Sequence, residues 1–401
     1  MQIQTQANPL LPQNLYQDRP YIAIWEVTRA CDLACVHCRA EAQAKRYPDE
    51  LDTEQALDLI RQVASWKVPL FVLTGGDPLK RGDLSTLVAE CSKLGMNFAL
   101  APSITPLLTR ERLIELRDAG VRRISLSLDG ADPATFDAFR GVPGTFDRFL
   151  EAAAQIRSLG IKLQINTTIG KHNRFQVPAI AHLIKEFSID LWSVFFLVPT
   201  GRAQRDQALN ATDTEIVLNQ LYDILEQGWF DVKTTEAHHF RRIILQRQGV
   251  TPEQLMRGDI PLARGPQAEG QALGVPSQGA DGNGRANAGS AALMRVARGV
   301  SDGRGFVFIS HTGEVCPSGF LPLAGGNIKS LPLSDIYQHS PLFLHLRDAN
   351  SLQGKCGKCE YRYFCGGSRA RGYALSGNVM GADPFCSYQP KERKDVLEVI
   401  S

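Results

Sequence analysis

The sequence predicts an α/β protein, an open, parallel (β/α)6 partial barrel followed by a small cysteine-rich C-terminal domain. Strand-like and helix-like stretches alternate six times between residues 21 and 240, and such alternation builds right-handed β–α–β units around a parallel sheet. Six units fall short of the eight in a closed barrel. Beyond residue 240 the alternation stops, and four of the nine cysteines fall between 356 and 386.

The elements follow in order. YIAIWEV (21–27) reads as a first strand. Asp52 opens a helix with Gln55 three residues on as a capping box, and Leu57, Ile60 and Ala64 share one face. LFVLTG (70–75) is a second, short apolar strand. Residues 83–94 form a helix with Leu84, Leu87, Val88, Cys91 and Leu94 inward, stopped at Gly95. NFALA (97–101) is a third strand, and a helix over roughly 109–119 ends at Gly120. RRISLSLD (122–129) is a fourth strand. A helix from about Phe146 to Gly160 leads to IKLQINTTI (161–169), the fifth. The stretch Val177–Phe187 is helical, and LWSVFFLVP (191–199) is the sixth and most apolar strand. Thr212 and Glu215 cap a further helix ending near Gly228.

These patterns divide the chain into an N-terminal extension (1–20), the partial barrel (21–240), a bridging segment (241–304) and the cysteine-rich region (305–401). Residues 241–305 contain no Phe, Trp or Tyr, and about 260–298 is so rich in Gly, Ala, Gln and Asn that a flexible insertion is expected there. Residues 305–320 (GFVFISHTGEVCPSGF) read as a β-hairpin.

The 401 residues are 43% hydrophobic, enough to bury a core. Forty-four basic against 42 acidic side chains leave a formal charge of +2, which disfavours a nucleic-acid wrapper. No apolar run is long enough to cross a membrane. The first 20 residues lack the basic start and apolar stretch of a signal peptide, so a cytoplasmic protein is expected. Clustered thiols in a reducing compartment point to metal binding or chemistry, not disulfides.

Cys31, Cys35 and Cys38 form C-x3-C-x2-C directly after the first strand, more than 300 residues from the second set. Three thiolates hold three irons of a [4Fe–4S] cube and leave the fourth iron open, whereas four would make a closed electron carrier. Zinc is the competing occupant. Structural zinc wants four closed ligands, and His37 sits awkwardly beside Cys38 for that role.

WEVTRA followed by CDLACVHC (25–38) resembles the signature of the radical S-adenosylmethionine (SAM) enzymes. The resemblance implies that the open iron chelates the amine and carboxylate of SAM. One electron then cleaves SAM to methionine and a 5′-deoxyadenosyl radical, which takes a hydrogen atom from substrate. TGGDP (74–78) stands where the family usually carries GGE, with Asp77 one methylene shorter than the usual Glu. Gly75, Gly76 and Asp77 are thereby implied to hold the SAM amino group. Ser103, Ser127 and Asp129 match positions facing the SAM carboxylate and ribose, and Asn166 is a polar residue in a core strand. Each of these could equally cap a helix or satisfy the core. Leu197 and Val198 stand where backbone would touch adenine, or pack as core.

DAFRGVPGTF (137–146) and FFLVPTGR (195–202) resemble the narrower group of alternative haem and haem d1 synthesis. The resemblance puts Arg140 and Arg202 near the barrel mouth, facing SAM or substrate carboxylates or simply solvent.

Cys356, Cys359, Cys365 and Cys386 (C-x2-C-x5-C-x20-C) supply four thiolates, enough for a second [4Fe–4S] cluster, with zinc again possible. The set resembles the auxiliary-cluster domains called SPASM and twitch. Full SPASM domains carry two auxiliary clusters, but Arg369 stands here where a further cysteine would fall. One auxiliary cluster is therefore expected, with Cys316 a free thiol near it and Cys91 a small buried hydrophobe. In KTTEAHHFRR (233–242), Lys233, Glu236, His238, His239, Arg241 and Arg242 either contact substrate or form a basic surface helix.

Radical SAM chemistry with SAM, a three-cysteine cluster and an auxiliary cluster in electron transfer is therefore expected. An external one-electron donor such as flavodoxin or ferredoxin is implied. The substrate is a tetrapyrrole with propionate or acetate arms, or else a peptide. Only about 20 residues precede the first strand, which disfavours a peptide. A non-catalytic iron–sulfur protein is the third reading, and TGGDP argues against it.

Overall fold

The computed structural model describes residues 15–259 and 284–391. Its strands are β1 (Ile22–Glu26), β2 (Leu70–Thr74), β3 (Phe98–Leu100), β4 (Arg123–Ser127), β5 (Lys162–Ile169), β6 (Leu191–Phe196), β7 (Asp231–Thr235), β8 (Phe306–Ile309), β9 (Glu314–Cys316) and β10 (Gly326–Asn327). They form one sheet in the order β10-β9-β8-β1-β2-β3-β4-β5-β6-β7. Every pair from β8 through β1 to β7 is parallel, while β8–β9 and β9–β10 are antiparallel. Among the described residues β7 and β8 do not pair, so the barrel stays open.

Two strands extend the expected six. The start of the charged stretch at 233–242, KTT, belongs with Asp231 and Val232 to a strand that pairs along β6, with Ser193 opposite Lys233. Its Val and two Thr were the available β signal. The first arm of the expected hairpin is β8, which also pairs with β1, Ile22 opposite Phe306. The boundary placed at residue 305 therefore falls inside a continuous sheet.

The helices over the barrel are α1 (Thr53–Ser65), α2 (Leu84–Lys93), α3 (Arg110–Asp118), α4 (Pro133–Arg140), α5 (Thr145–Ser158), α6 (Val177–Lys185) and α7 (Ala211–Glu226). After β7 come α8 (His239–Arg247), α9 (Pro252–Arg257), α10 (Gly284–Ala297), α11 (Leu333–His339), α12 (Pro341–Arg347), α13 (Gly354–Lys358) and α14 (Arg369–Ser376). The capping box at α1 forms: Gln55 N–H donates to Asp52 at 2.9 Å and Asp52 N–H to Gln55 at 3.1 Å. Such a cap contributes about 1 kcal/mol. Ala56, Leu59, Ile60 and Val63 of α1 are fully buried. At α7 the cap is Asn210, which accepts from Asp213 N–H at 2.8 Å, not Thr212 as expected.

α10 corrects the expectation of flexibility over 284–298. Its Ala292, Leu293, Val296 and Ala297 are buried, and it packs on α8 and α7. Alanine is the strongest helix former, and composition alone hid the apolar face. Residues 260–283 of the expected insertion lie outside the described residues. No described helix is long and apolar enough to cross a membrane.

Candidate functional site

The loop after β1 carries Cys31, Cys35 and Cys38, and three glycine turns, at the ends of β2, α4 and β6, press on its backbone. After β2, Gly76 N–H donates to Thr28 O at 2.8 Å and Asp77 N–H to Ala30 O at 2.7 Å. After α4, the carbonyls of Arg140 and Phe139 accept from Ala34 N–H at 3.2 Å and Val36 N–H at 3.1 Å. After β6, Arg202 N–H donates to Cys38 O at 3.0 Å. A Cβ on Gly76 would lie 2.6 Å from Ala30 O, and one on Gly201, whose φ is +59°, 2.5 Å from Cys38 O. Only glycine permits approaches this close.

The thiols meet donors as well as apolar packing. Leu33 N–H reaches Cys31 Sγ and Ala42 N–H reaches Cys38 Sγ, both at 3.4 Å, and Arg140 Nη1 lies 3.7 Å from Cys35 Sγ. Burial pushes the Cys31 and Cys35 thiols up from their ordinary values. Bare thiolates are therefore unfavourable there, whereas thiolates bound to a cationic cluster and solvated by N–H donors fit. The His37 ring is committed elsewhere, stacked flat on Phe139 with centroids 4.0 Å apart, and Phe139 on His172 at 3.8 Å.

A cavity of about 400 Å³ runs from these cysteines down the barrel interior, a size that takes a small-molecule ligand. Gly75, Gly76, Ser103, Ser127, Asn166 and Leu197 line it, with Val198 beside them. The other three expected cofactor contacts do not line it. Asp77 turns its buried carboxyl to Leu79 N–H (3.1 Å), Ser103 N–H (3.3 Å) and the Thr105 hydroxyl (2.6 Å). It thus fixes the loop in which the Ser103 hydroxyl donates to Gly76 O at 2.6 Å. Asp129 accepts from Thr168 N–H at 2.6 Å and pairs with Arg140, so it positions the guanidinium beside Cys35. Arg202 lies against the cysteine loop, its Nε and Nη2 buried without a partner among the described residues. For the two aspartates, helix capping and loop bracing take the polar group that ligand binding would use.

The barrel's far rim carries a second constellation. His238 and Arg241 face the main cavity, and His239 and Arg242, the next residues in turn, line a small cavity of about 20 Å³. One turn at the start of α8 therefore stands between two sites, and residues three apart share a face. The small cavity gathers Cys356, Cys359, Cys365 and Cys386. Burial pushes the Cys359 thiol up to about 12 and raises Cys365 and Cys386. Asp383 N–H donates to Cys356 Sγ at 3.4 Å, and Arg369 Nη2 lies 3.9 Å from the same sulfur. Among the described residues no three His, Cys, Asp or Glu side chains converge as they would on a single metal ion.

Glu236 and Asp302 complete the rim. Ser318 Oγ donates to Glu236 at 3.0 Å, and Asp302 accepts from Arg369 N–H at 2.9 Å and Ala370 N–H at 3.1 Å. Burial raises both carboxyls, and the Asp302 charge raises Glu236 further while the contact with Glu236 lowers Asp302, so the pair retains a proton at neutral pH.

The Radical SAM superfamily profile matches residues 25–184. The chain is 39% identical to the AdoMet-dependent heme synthase of Nitratidesulfovibrio vulgaris, over 92% of each chain. This chain is a radical SAM enzyme. It is also 35% identical to the AdoMet-dependent heme synthase of Methanosarcina barkeri, over 93% of this chain and 98% of that one. The crystal structure of Streptococcus suis SuiB shares the fold, with a TM-score of 0.68 at 17% identity over 94% of this chain and 79% of that one. The SAM- and peptide-bound structure of anSMEcpe does so with a TM-score of 0.61 at 14% identity, over 91% and 93%.

As a radical SAM enzyme with a C-terminal SPASM-type region, the chain belongs to a group that uses SAM and iron–sulfur clusters. Cys316 does not join the four-thiol cavity. It sits on β9 opposite Phe308, its thiol pushed up by burial to about 12, with Glu314, Arg39 and Glu26 as its charged neighbours. Cys91 is fully buried on α2, as expected. Asp302 and Ser318 went unnoticed in the sequence, where nothing marks them as partners of Glu236 across 66 and 82 residues.

Proposed function

We propose that the enzyme acts on a haem-related tetrapyrrole whose carboxylate arms enter the barrel cavity. The observation that carries this reading is the cavity's two-sided lining between the cysteine sets. Ile24, Val72, Phe306 and Phe308 form an apolar wall, and Arg123, Ser193 and Lys233 a polar one. A flat apolar macrocycle with acidic arms matches both walls, and the full-length likeness to heme synthases supports the same substrate class.

Cys31, Cys35 and Cys38 would hold the SAM-binding cluster, and Cys356, Cys359, Cys365 and Cys386 a single auxiliary cluster. When bound, the first cluster would supply the electron that turns SAM into the hydrogen-abstracting radical, and the auxiliary cluster a route for the electron left behind. Gly75 and Gly76 offer backbone to the SAM amine. Ser103, Ser127, Asn166 and Leu197 would orient its carboxylate, ribose and adenine. Asp77, Asp129 and Arg140 hold those contacts and the Cys35 thiolate in place. A flavodoxin or ferredoxin would deliver the starting electron.

The test is anaerobic reconstitution with iron and sulfide, expected to load about eight irons per chain. With dithionite, SAM and an arm-deuterated iron tetrapyrrole, deuterium should appear in 5′-deoxyadenosine. Transfer from a peptide instead, or from neither, would overturn the tetrapyrrole reading.

A further inference from the structure

We propose that Lys233, assisted by Arg123 and Ser193, is the anchor for a substrate carboxylate at the floor of the barrel cavity. The inference deepens the tetrapyrrole reading by assigning one binding contact to named residues.

Lys233 stands third on β7, opposite Ser193 of β6, which stands opposite Asn166 of β5, which stands opposite Ser127 of β4. All four line the cavity. They form one row across the barrel interior, with Ser127 and Asn166 at the end proposed for SAM. At the other end, charge is unbalanced. The Lys233 ammonium has no hydrogen-bond or ion-pair partner among the described residues. Asp190 is the acid beside Arg123, and the acids nearest Lys233 along the chain are engaged elsewhere. Asp231, two residues earlier, pairs with Arg295 at 2.8 Å. Glu236, three residues later, accepts from Ser318 and Ser368. The charged neighbour that Lys233 does have is Arg123, a second cation, and burial beside it lowers the ammonium to about 8. Ser193 Oγ is buried without a partner among the described residues.

Buried charge without a counter-charge is costly, and a bound anion removes that cost. The unmet groups are an ammonium and a hydroxyl, next to a guanidinium, which together match a carboxylate's lone pairs. The apolar wall opposite selects for a carboxylate carried on an apolar body.

The experiment uses cluster-loaded protein reductively methylated with 13C-formaldehyde, so that dimethylated Lys233 is followed by NMR. Lys233→Met identifies the signal. Titration of iron coproporphyrin III should move the signal and raise its pKa, while the tetramethyl ester leaves it in place. Lys233→Met should weaken binding of the acid roughly tenfold or more, leave the ester unaffected, and leave SAM affinity unchanged. If the tetrapyrrole acid fails to bind but propionate moves the signal, the anchor stands and the tetrapyrrole reading falls. If the acid binds with the signal static and Lys233→Met binds it as tightly, the anchor falls and the reading stands. A signal static to every acid, or weakened SAM binding in Lys233→Met, overturns the anchor.

Discussion

His238 Nδ1 lies 2.9 Å from the carbonyl oxygen of Gly367, whose own N–H donates to Cys365 Sγ at 3.4 Å. Burial, with Arg241 nearby, keeps the imidazole well below its ordinary value and hence neutral. The nitrogen facing a carbonyl must then be the one carrying hydrogen, which leaves Nε2 as an acceptor. His238 lines the main cavity, so two hydrogen bonds link that cavity to the second cysteine set. His238→Phe should preserve SAM cleavage but raise the ratio of 5′-deoxyadenosine to product. Matched ratios in variant and wild type would show that the link carries nothing.

The two cysteine sets should separate by mutation. Cys35→Ala should abolish SAM cleavage and leave about four irons per chain. Cys359→Ala should spare uncoupled cleavage and stop product formation. Iron analysis alongside 5′-deoxyadenosine and product assays reads both. Full turnover in Cys359→Ala would remove any role for the second set.

The glycine clamp makes a stability prediction. Gly201→Ala forces a Cβ to 2.5 Å from Cys38 O at a positive φ, a strain of order 1–3 kcal/mol. The loop should yield before the barrel does. Iron retained by the first set should fall, while far-ultraviolet circular dichroism stays close to wild type.

The Glu236–Asp302 pair sets a pH dependence whose sign follows from proton counting. Its proton is kept in the folded state up to about pH 8, against the ordinary 4.5 of a Glu side chain. Between those values the folded chain binds more protons than the unfolded one, so stability falls as pH rises. Glu236→Gln should flatten this slope and gain most on wild type near the upper end. Melting temperatures across that range decide it, and equal slopes would place the proton elsewhere.

Much of this was legible beforehand because the signals were local. The C-x3-C-x2-C spacing, the apolar strands and the Asp52–Gln55 cap each lie within one short window. β7 was missed because its polar residues face a cavity, so the usual apolar alternation is absent. Asp77 and Asp129 were assigned to the cofactor on position in the chain, while direction depends on which donors lie behind the loop. Lys233 and Glu236 were noticed as a charged stretch. Their opposite situations, one cation unmatched and one carboxyl sharing a proton, arise only when β8 and α14 close the rim.

The pairing of β1 with β8 also constrains the order of assembly. The strand leading into the first cysteine loop takes one neighbour from β2 and the other from residues 306–309. A nascent chain has translated most of its length before that second edge exists. The first cluster should therefore be installed late, after the ribosome has passed β8, and a chain ending at 304 should bind iron at its N-terminal triplet poorly.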